Sequence, residues 1–241
     1  MNGTAALIFD VDGTLADTER EGHLPAFNAT FAQHGLAWCW SPELYGELLA
    51  VTGGSERMRF FAERYDPGFL ARSGADRLVQ QMHQEKNRRY AALIAAGGIQ
   101  LRPGVLNLIR FARDSGIRLA IATTTSPENV DALLAATLAP ELQGCFEVIG
   151  AGNVVAEKKP APDIYRWVLA RLGLEADACL AIEDSENGLR SSLGAGLTTV
   201  VTVNDYTQGQ DFKGAALVLK SLADVMPMEL LNHLLTKNKK T

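Results

Sequence analysis

Short runs that are apolar at every position alternate along this chain with longer stretches in which apolar residues recur every three or four positions. The first kind comprises AALIF (5–9), RLAIAT (118–123), FEVIG (146–150), CLAIE (179–183) and TTVVTV (198–203). Most lack the in-out alternation of a half-exposed strand, which is the pattern of parallel strands covered on both faces. The second kind predicts amphipathic helices. GVLNLIRFARDSG places Val105, Leu108, Ile109 and Ala112 on one stripe, with Gly116 as the stop. SPENVDALLAATL opens with Ser126 as N-cap and Pro127 in the first helical position. PDIYRWVLARLG ends at Gly173, and SENGLRSSLGAG is stopped by Gly194 or Gly196.

Strand and helix repeat from residue 103 onward, which predicts an α/β fold with a doubly wound, Rossmann-like parallel sheet. The first strand belongs to that sheet but lacks its helix. Instead, LPAFNATFAQHG, PELYGELLAVTGG and RLVQQMHQEKNRRYAALIAAGG carry helical spacing with no strand between them. This insertion of roughly 75 residues suits a small helical domain. The expected division is a core of residues 1–18 and 98–241 and an inserted α-helical cap of 19–97.

The chain has 241 residues, is 47% hydrophobic and carries a net charge of −5, so it can bury a sizeable core and is a poor match for nucleic acid or an anionic membrane. No apolar run approaches the ~20 residues of a membrane span, and MNGTAALIFD lacks the basic region of a leader. Cys39, Cys145 and Cys179 are odd in number and widely spaced, which suggests neither a disulfide framework nor a zinc site. A soluble cytoplasmic monomer is expected, with LLTKNKKT as a solvated tail.

Ligands of an open parallel sheet bind beyond the carboxyl ends of its strands. Asp10 and Asp12 follow the first strand, Thr123, Thr124, Thr125 and Ser126 the second, Lys158 and Lys159 come shortly after the third, and Glu183 and Asp184 end the fourth. Taken singly, each piece reads as a turn, a helix cap or a solvated loop. Their placement at successive strand ends is what those readings leave unexplained. Asp10, Asp12, Glu183 and Asp184 cannot crowd together as free anions at acceptable cost, and a hard divalent cation, Mg²⁺, resolves the conflict. A metal among carboxylates, beside a lysine and a hydroxyl, suits a phosphoryl group.

DVDGT, the Thr after the second strand, the lysine before PAPD, and EDS together resemble the four motifs of the haloacid dehalogenase superfamily, across essentially the whole chain. The insertion is similar to the helical cap of the subgroup that includes β-phosphoglucomutase and phosphoglycolate phosphatase. DTEREGH, LYGELLAVTGGSERM and EKKPAPDIY resemble sugar-bisphosphate phosphatases associated with carbon fixation, the Calvin cycle, which implies xylulose 1,5-bisphosphate as substrate. The resemblance implies Asp10 as nucleophile, forming an aspartyl-phosphate, and Asp12 as general acid and then base. It implies that Asp10, Glu183, Asp184 and the backbone carbonyl of Asp12 hold Mg²⁺. Thr123 and the amide of Thr124 would hold phosphate oxygens. Lys159, the lysine that directly precedes the proline, would offset their charge rather than Lys158.

The cap should close over this site and select the sugar. A bisphosphate needs a second anion pocket, for which Arg57, His83 and Lys86 are candidates, with Ser55 on the Gly53–Gly54 turn. Arg57 and Lys86 also read as solvated helix charges. Glu19 and Tyr45 could meet sugar hydroxyls, Tyr45 reading equally as core and His23 as cap packing. The resembling phosphatases often carry lysine where Ser55 stands, a departure that bears on phosphate affinity.

Two rival functions share these residues. A phosphomutase would use the same core and return the phosphoryl group to another hydroxyl. A non-catalytic phospho-acceptor, like a response-regulator receiver, combines similar groups but is about half this length and lacks the insertion. A dehalogenase would leave Asp12 and the metal ligands without purpose.

Overall fold

The computed structural model describes residues 5–235. Of the stretch read as a solvated tail, Leu234 and Leu235 close the last helix, and 236–241 lie outside the described residues, as do 1–4.

Six parallel strands form one sheet: β1 (Ala6–Phe9), β2 (Arg118–Ala122), β3 (Phe146–Gly150), β4 (Cys179–Glu183), β5 (Thr198–Thr202) and β6 (Leu217–Leu219), in the order β3-β2-β1-β4-β5-β6. The α-helices are α1 (Leu24–Gln33), α2 (Pro42–Leu48), α3 (Gly54–Tyr65), α4 (Pro67–Leu70), α5 (Ala75–Ala95), α6 (Val105–Asp114), α7 (Pro127–Thr137), α8 (Asp163–Leu172), α9 (Glu186–Gly194) and α10 (Pro227–Leu235). Among the described residues no helix is long and apolar enough to cross a membrane. The chain divides into two compact units. One runs to Asp17 and takes in Gln100–Thr124 and the chain from Thr137. The other holds Thr18–Ile99 and Thr125–Ala136, so most of α7 groups with the inserted helices.

In the sheet unit, the order reverses at β1, which pairs with β2 on one side and β4 on the other. All four residues of β1 are fully buried, which is why its sequence shows no alternation. Ala6, Ile8, Ala120, Ala122 and Ala181 form a face of mostly small side chains against Ile164, Tyr165 and Val168 of α8. The stripe predicted on α6 is the buried one: Val105, Leu108, Ile109 and Ala112. Fully burying an aliphatic chain such as Ile109 is worth about 1.5–3 kcal/mol. Helix ends follow local chemistry. Ser185 Oγ accepts the Gly188 amide of α9 at 3.2 Å, and Gly173 ends α8 in the left-handed conformation at φ 65°.

One strand departs from the sequence reading. β6 was not predicted, because it is three residues long, on the sheet edge, with Val218 exposed, and carries too little pattern to separate it from loop.

The helical unit opens with a π-helical turn, Glu19–His23, and has a core of aromatic rings. Phe27, Phe31, Trp40, Tyr45 and Phe69 are fully or almost fully buried. Trp40 packs 4.7 Å from Phe27 and 4.8 Å from Phe31, centroid to centroid. Asn28 holds the Trp40 backbone in place, donating to its carbonyl at 2.9 Å and accepting its amide at 2.8 Å.

Candidate active site

Strand register decides which side chains meet. Phe9 of β1 lies level with Ile121 of β2 and Ile182 of β4. The next residues along each strand are therefore brought to one line, and these are Asp10, Ala122 then Thr123, and Glu183 then Asp184. The Asp10 amide continues the ladder by donating to the Ile182 carbonyl at 3.0 Å. The Thr123 amide does the same to Gly150, at 2.9 Å. The apolar runs end here because strand backbone remains paired while the side chains pass the edge of the core.

Lys159 lies between two of these carboxylates. Its Nζ donates to Asp10 Oδ1 and to Glu183 Oε1, both at 2.6 Å. Tyr165 of α8 donates its hydroxyl to the same Glu183 oxygen. Asp10, Lys159, Glu183 and Asp184 are all buried, at 7, 4, 0 and 6% exposure. Burial pushes the Asp10 carboxyl up to about 7, with Lys159 opposing and Glu183 adding to the rise. Burial and the charges of Asp10 and Glu183 hold Asp184 well above the usual carboxylate range, against a hydrogen bond from Asn204. Burial alone would lower the Lys159 ammonium, but Asp10 and Glu183 raise it above its ordinary value. The Tyr165 phenol is held up by burial and then by Glu183.

Oxygens of Asp10, Glu183 and Asp184 lie within 4.8 Å of one another. Three buried carboxylates share this volume, and one ammonium touches two of them. The carboxyls of Asp10 and Asp184 are raised first by that burial, and the neighbouring carboxylates add to the rise. Hard oxygen donors in such a cluster fit a divalent cation of the Mg²⁺ or Ca²⁺ kind.

Two glycines are required by this crowding. A Cβ on Gly13 would stand 2.2 Å from Asp184 Oδ2, and its φ of +81° disfavours any side chain. A Cβ on Gly188, in the first turn of α9, would stand 1.9 Å from Glu183 Oε2.

The remaining sequence candidates of the sheet unit are placed as follows. Thr123 is buried, while Asp12, Thr124 and Lys158 are half-buried. The two lysines separate: Lys159 turns inward to the carboxylates, and Lys158 accepts the Ala161 amide through its carbonyl.

In the helical unit the candidates form two groups. Tyr45 donates to Glu19 and accepts from Arg57 Nη1 at 2.8 Å, with the guanidinium 5.1 Å from the Tyr45 ring centre. Lys86 Nζ lies 2.8 Å from His23 Nδ1, over the rings of Phe27 and Tyr90. Arg57 and Lys86 are 7% and 4% exposed, so neither is a solvated helix charge. Gly53 has a φ of 94°, and Gly54 packs so close to His83 that a Cβ would lie 2.8 Å from its ring. Ser55 donates to Glu56 at 2.8 Å.

Three residues at the site were missed in the sequence. Tyr165 reads as an ordinary apolar position of α8. Asn204, two residues past β5, donates to Asp184 Oδ2 at 2.7 Å and obeys the same strand-end rule that found the acids. Arg102, at the close of the insertion, donates to the Gly13 carbonyl.

Known proteins resemble this chain over most of its length. The model of the haloacid dehalogenase-like hydrolases matches residues 4–196. Protein CbbY of Cupriavidus necator is 51% identical over 91% of this chain and 86% of its own. Protein CbbY of Rhodobacter capsulatus is 53% identical over 87% of this chain and 90% of its own. Among solved structures, an Asp-to-Asn mutant of CbbY from Rhodobacter sphaeroides in complex with xylulose 1,5-bisphosphate superposes with a TM-score of 0.85 at 46% identity, covering 92% of this chain and 96% of that one. β-Phosphoglucomutase from Clostridium difficile shares the fold, with a TM-score of 0.80 at 19% identity over 98% of this chain and 99% of that one.

Proposed function

The chain belongs to the haloacid dehalogenase-like hydrolases, and from that premise we propose that it is a Mg²⁺-dependent phosphatase of small sugar bisphosphates, with xylulose 1,5-bisphosphate as substrate. The observation that carries the chemistry is Lys159 bonded to Asp10 and Glu183, with Asp184 beside them, at the carboxyl ends of β1 and β4. The substrate rests on relatedness to CbbY, one form of which has been crystallised with that sugar.

Asp10 attacks phosphorus through a carboxylate oxygen while the P–O bond to the sugar breaks, giving an aspartyl-phosphate and a sugar alkoxide. Asp12 gives that alkoxide its proton. The carboxylate so formed then takes a proton from water, which attacks the phosphorus of the aspartyl-phosphate and releases inorganic phosphate and Asp10. Lys159 fixes the rotation of the Asp10 carboxylate through Oδ1 and offsets charge on the phosphoryl oxygens. Thr123 and the Thr124 amide hold those oxygens. Asp10, Asp184 and the Asp12 carbonyl would hold the cation, with Glu183 completing the set; bound there, Mg²⁺ supplies charge neutralisation and orientation of the phosphoryl group.

We assign catalysis to residues 1–18 and 98–241 and choice of sugar to 19–97. Within the latter, Glu19, Tyr45, Gly53, Gly54, Ser55, Arg57, His83 and Lys86 are assigned to the sugar and its second phosphate.

The test is release of inorganic phosphate from a panel of sugar mono- and bisphosphates, with Mg²⁺ or with EDTA, alongside analysis of the organic product. Highest kcat/KM for xylulose 1,5-bisphosphate, abolished by EDTA, is expected. Isomerised sugar phosphate without phosphate release would make the protein a mutase. No turnover of any phosphate ester would remove the enzymatic reading.

A further inference from the structure

The Arg102 side chain joins the loop after β1 to the ends of β5 and β6. Its Nη1 donates to the Gly13 carbonyl, to the Thr202 carbonyl at 2.9 Å and to Thr202 Oγ1 at 3.0 Å. Its Nη2 donates to the Val203 carbonyl at 2.6 Å, with the Lys220 carbonyl at 3.4 Å. Its Nε lies 3.2 Å from Asp17 Oδ1, and the side chain is only 9% exposed. Several acceptors belonging to separate segments surround one planar group. A guanidinium can serve such an array, because its donors diverge in a fixed fork; an ammonium presents three donors from one point.

The backbone acts on the same loop. The Arg102 amide donates to the Leu15 carbonyl at 2.8 Å, and Leu101 pairs with Ala16 as an antiparallel bridge. Residues 11–16 are themselves folded into a turn, with the amides of Thr14, Leu15 and Ala16 directed to the Val11 carbonyl and that of Gly13 to Ala16. Asn204 adds a contact of 3.5 Å to the Gly13 carbonyl from the side facing Asp184. The Gly13 carbonyl, one residue beyond Asp12, is thus approached by two side chains from outside its loop. Together these contacts form a grip on the loop. It has the form of a device that fixes the loop carrying Asp12 against the end of β5.

We propose that Arg102 is a positioning residue for the proton transfer performed by Asp12. It touches no reacting atom; it holds the Gly13 carbonyl, and so the segment that aims the Asp12 carboxyl at the leaving oxygen. The inference rests on the reading of Asp12 as general acid. It has a consequence that general loosening of the fold would not have. Substrates differ in how much they need the acid. Nitrophenolate leaves from p-nitrophenyl phosphate without a proton, whereas a sugar alkoxide needs one. kcat/KM reports the steps up to and including formation of the aspartyl-phosphate, in which that proton is given.

The experiment compares Arg102→Ala, Arg102→Lys and Asp12→Asn with the parent protein on p-nitrophenyl phosphate and on xylulose 1,5-bisphosphate or an alkyl monophosphate, with Tm recorded for each. General acids contribute about a hundred- to ten-thousandfold. Loss of the positioning residue should therefore cost on the order of tenfold to a hundredfold on the alkyl ester and less than about threefold on the aryl ester. Lys should not rescue the first, and free guanidine should restore part of the activity of Arg102→Ala. Equal losses on both esters, tracking a fall in Tm, would reduce Arg102 to a structural clamp and overturn the proposal. Selective loss in Asp12→Asn without selective loss in either Arg102 variant would overturn the positioning role alone. If Asp12→Asn itself shows no selectivity, the acid assignment fails and the role of Arg102 fails with it.

Discussion

Lys159 and Asp10 are 149 residues apart in sequence and 2.6 Å apart in space, both buried. The contact places a cation against a carboxylate that burial holds up to about 7, and it ties the segment before α8 to the end of β1. Replacing Lys159 by Met keeps the chain's length but removes that cation from Asp10 and Glu183. Uncompensated buried charge of this kind costs on the order of 3–5 kcal/mol. The variant should be destabilised by about that much at pH 8 and by clearly less at pH 5, where Asp10 holds a proton. Turnover should fall roughly a hundred- to a thousandfold. Denaturant melts at the two pH values check the first expectation, and an equal loss at both would show that Lys159 acts by packing alone.

Asp10→Asn should lose turnover, since an amide does not attack phosphorus. Its metal-free form should nonetheless be as stable as the parent at pH 8 or more so, because one member of a crowded anionic cluster has been neutralised. Phosphate release and thermal melts in EDTA check both halves together. Residual turnover above background would take the nucleophile role away from Asp10.

The same cluster sets a pH dependence with a definite sign. The folded chain keeps a proton on Asp10 up to about pH 7, whereas the unfolded chain releases it near 3.8. Between those values the native state binds more protons, so the stability of the metal-free protein should fall as pH rises and then level off, by roughly a few kcal/mol in all. Asp184, also raised, acts in the same direction. A divalent cation competes with those protons, so Mg²⁺ should raise Tm more at pH 8 than at pH 5. A Tm gain independent of pH would place the cation away from these carboxylates.

The acids at the strand ends were legible because the end of a strand's apolar run is marked by the change from apolar to charged, as at Phe9–Asp10 and Ile182–Glu183. Register then follows from the parallel sheet and brings those ends level. Asn204 was open to the same reasoning, but one polar residue after a strand is weak beside a pair of acids. Arg102 and Tyr165 were not legible. Each sits in an ordinary local pattern, and only tertiary packing shows Tyr165 against Glu183 and Arg102 among the carbonyls of other loops. The burial of Arg57 and Lys86 was equally hidden. Both occupy helices rich in charge, and aromatic rings from α1 and α5 cover the lysine. β6 lacked the length for any pattern to form.

The last expectation concerns Tyr45, whose hydroxyl donates to Glu19 and accepts from Arg57. Tyr45→Phe removes one oxygen and keeps the ring that packs 6.1 Å from Phe27 and 6.0 Å from Trp40. Arg57 would keep its 3.4 Å contact to the Val51 carbonyl but lose the acceptor that orients Nη1. Losing such a buried bond costs about 1–3 kcal/mol of stability. If Arg57 and Glu19 together meet the sugar, the change should lower kcat/KM for xylulose 1,5-bisphosphate by roughly ten- to a hundredfold, the kinetic equivalent of one charge-assisted contact. Turnover of p-nitrophenyl phosphate, which has no sugar and no second phosphate, should stay within about threefold, a barrier change of under ~1 kcal/mol. Parallel kinetics on the two substrates, with a melt on the same preparation, separate the alternatives. A fall in Tm with no selective kinetic loss would make Arg57, Tyr45 and Glu19 a buried polar network of the helical fold, and the choice of sugar would then lie with Ser55, His83 or Lys86.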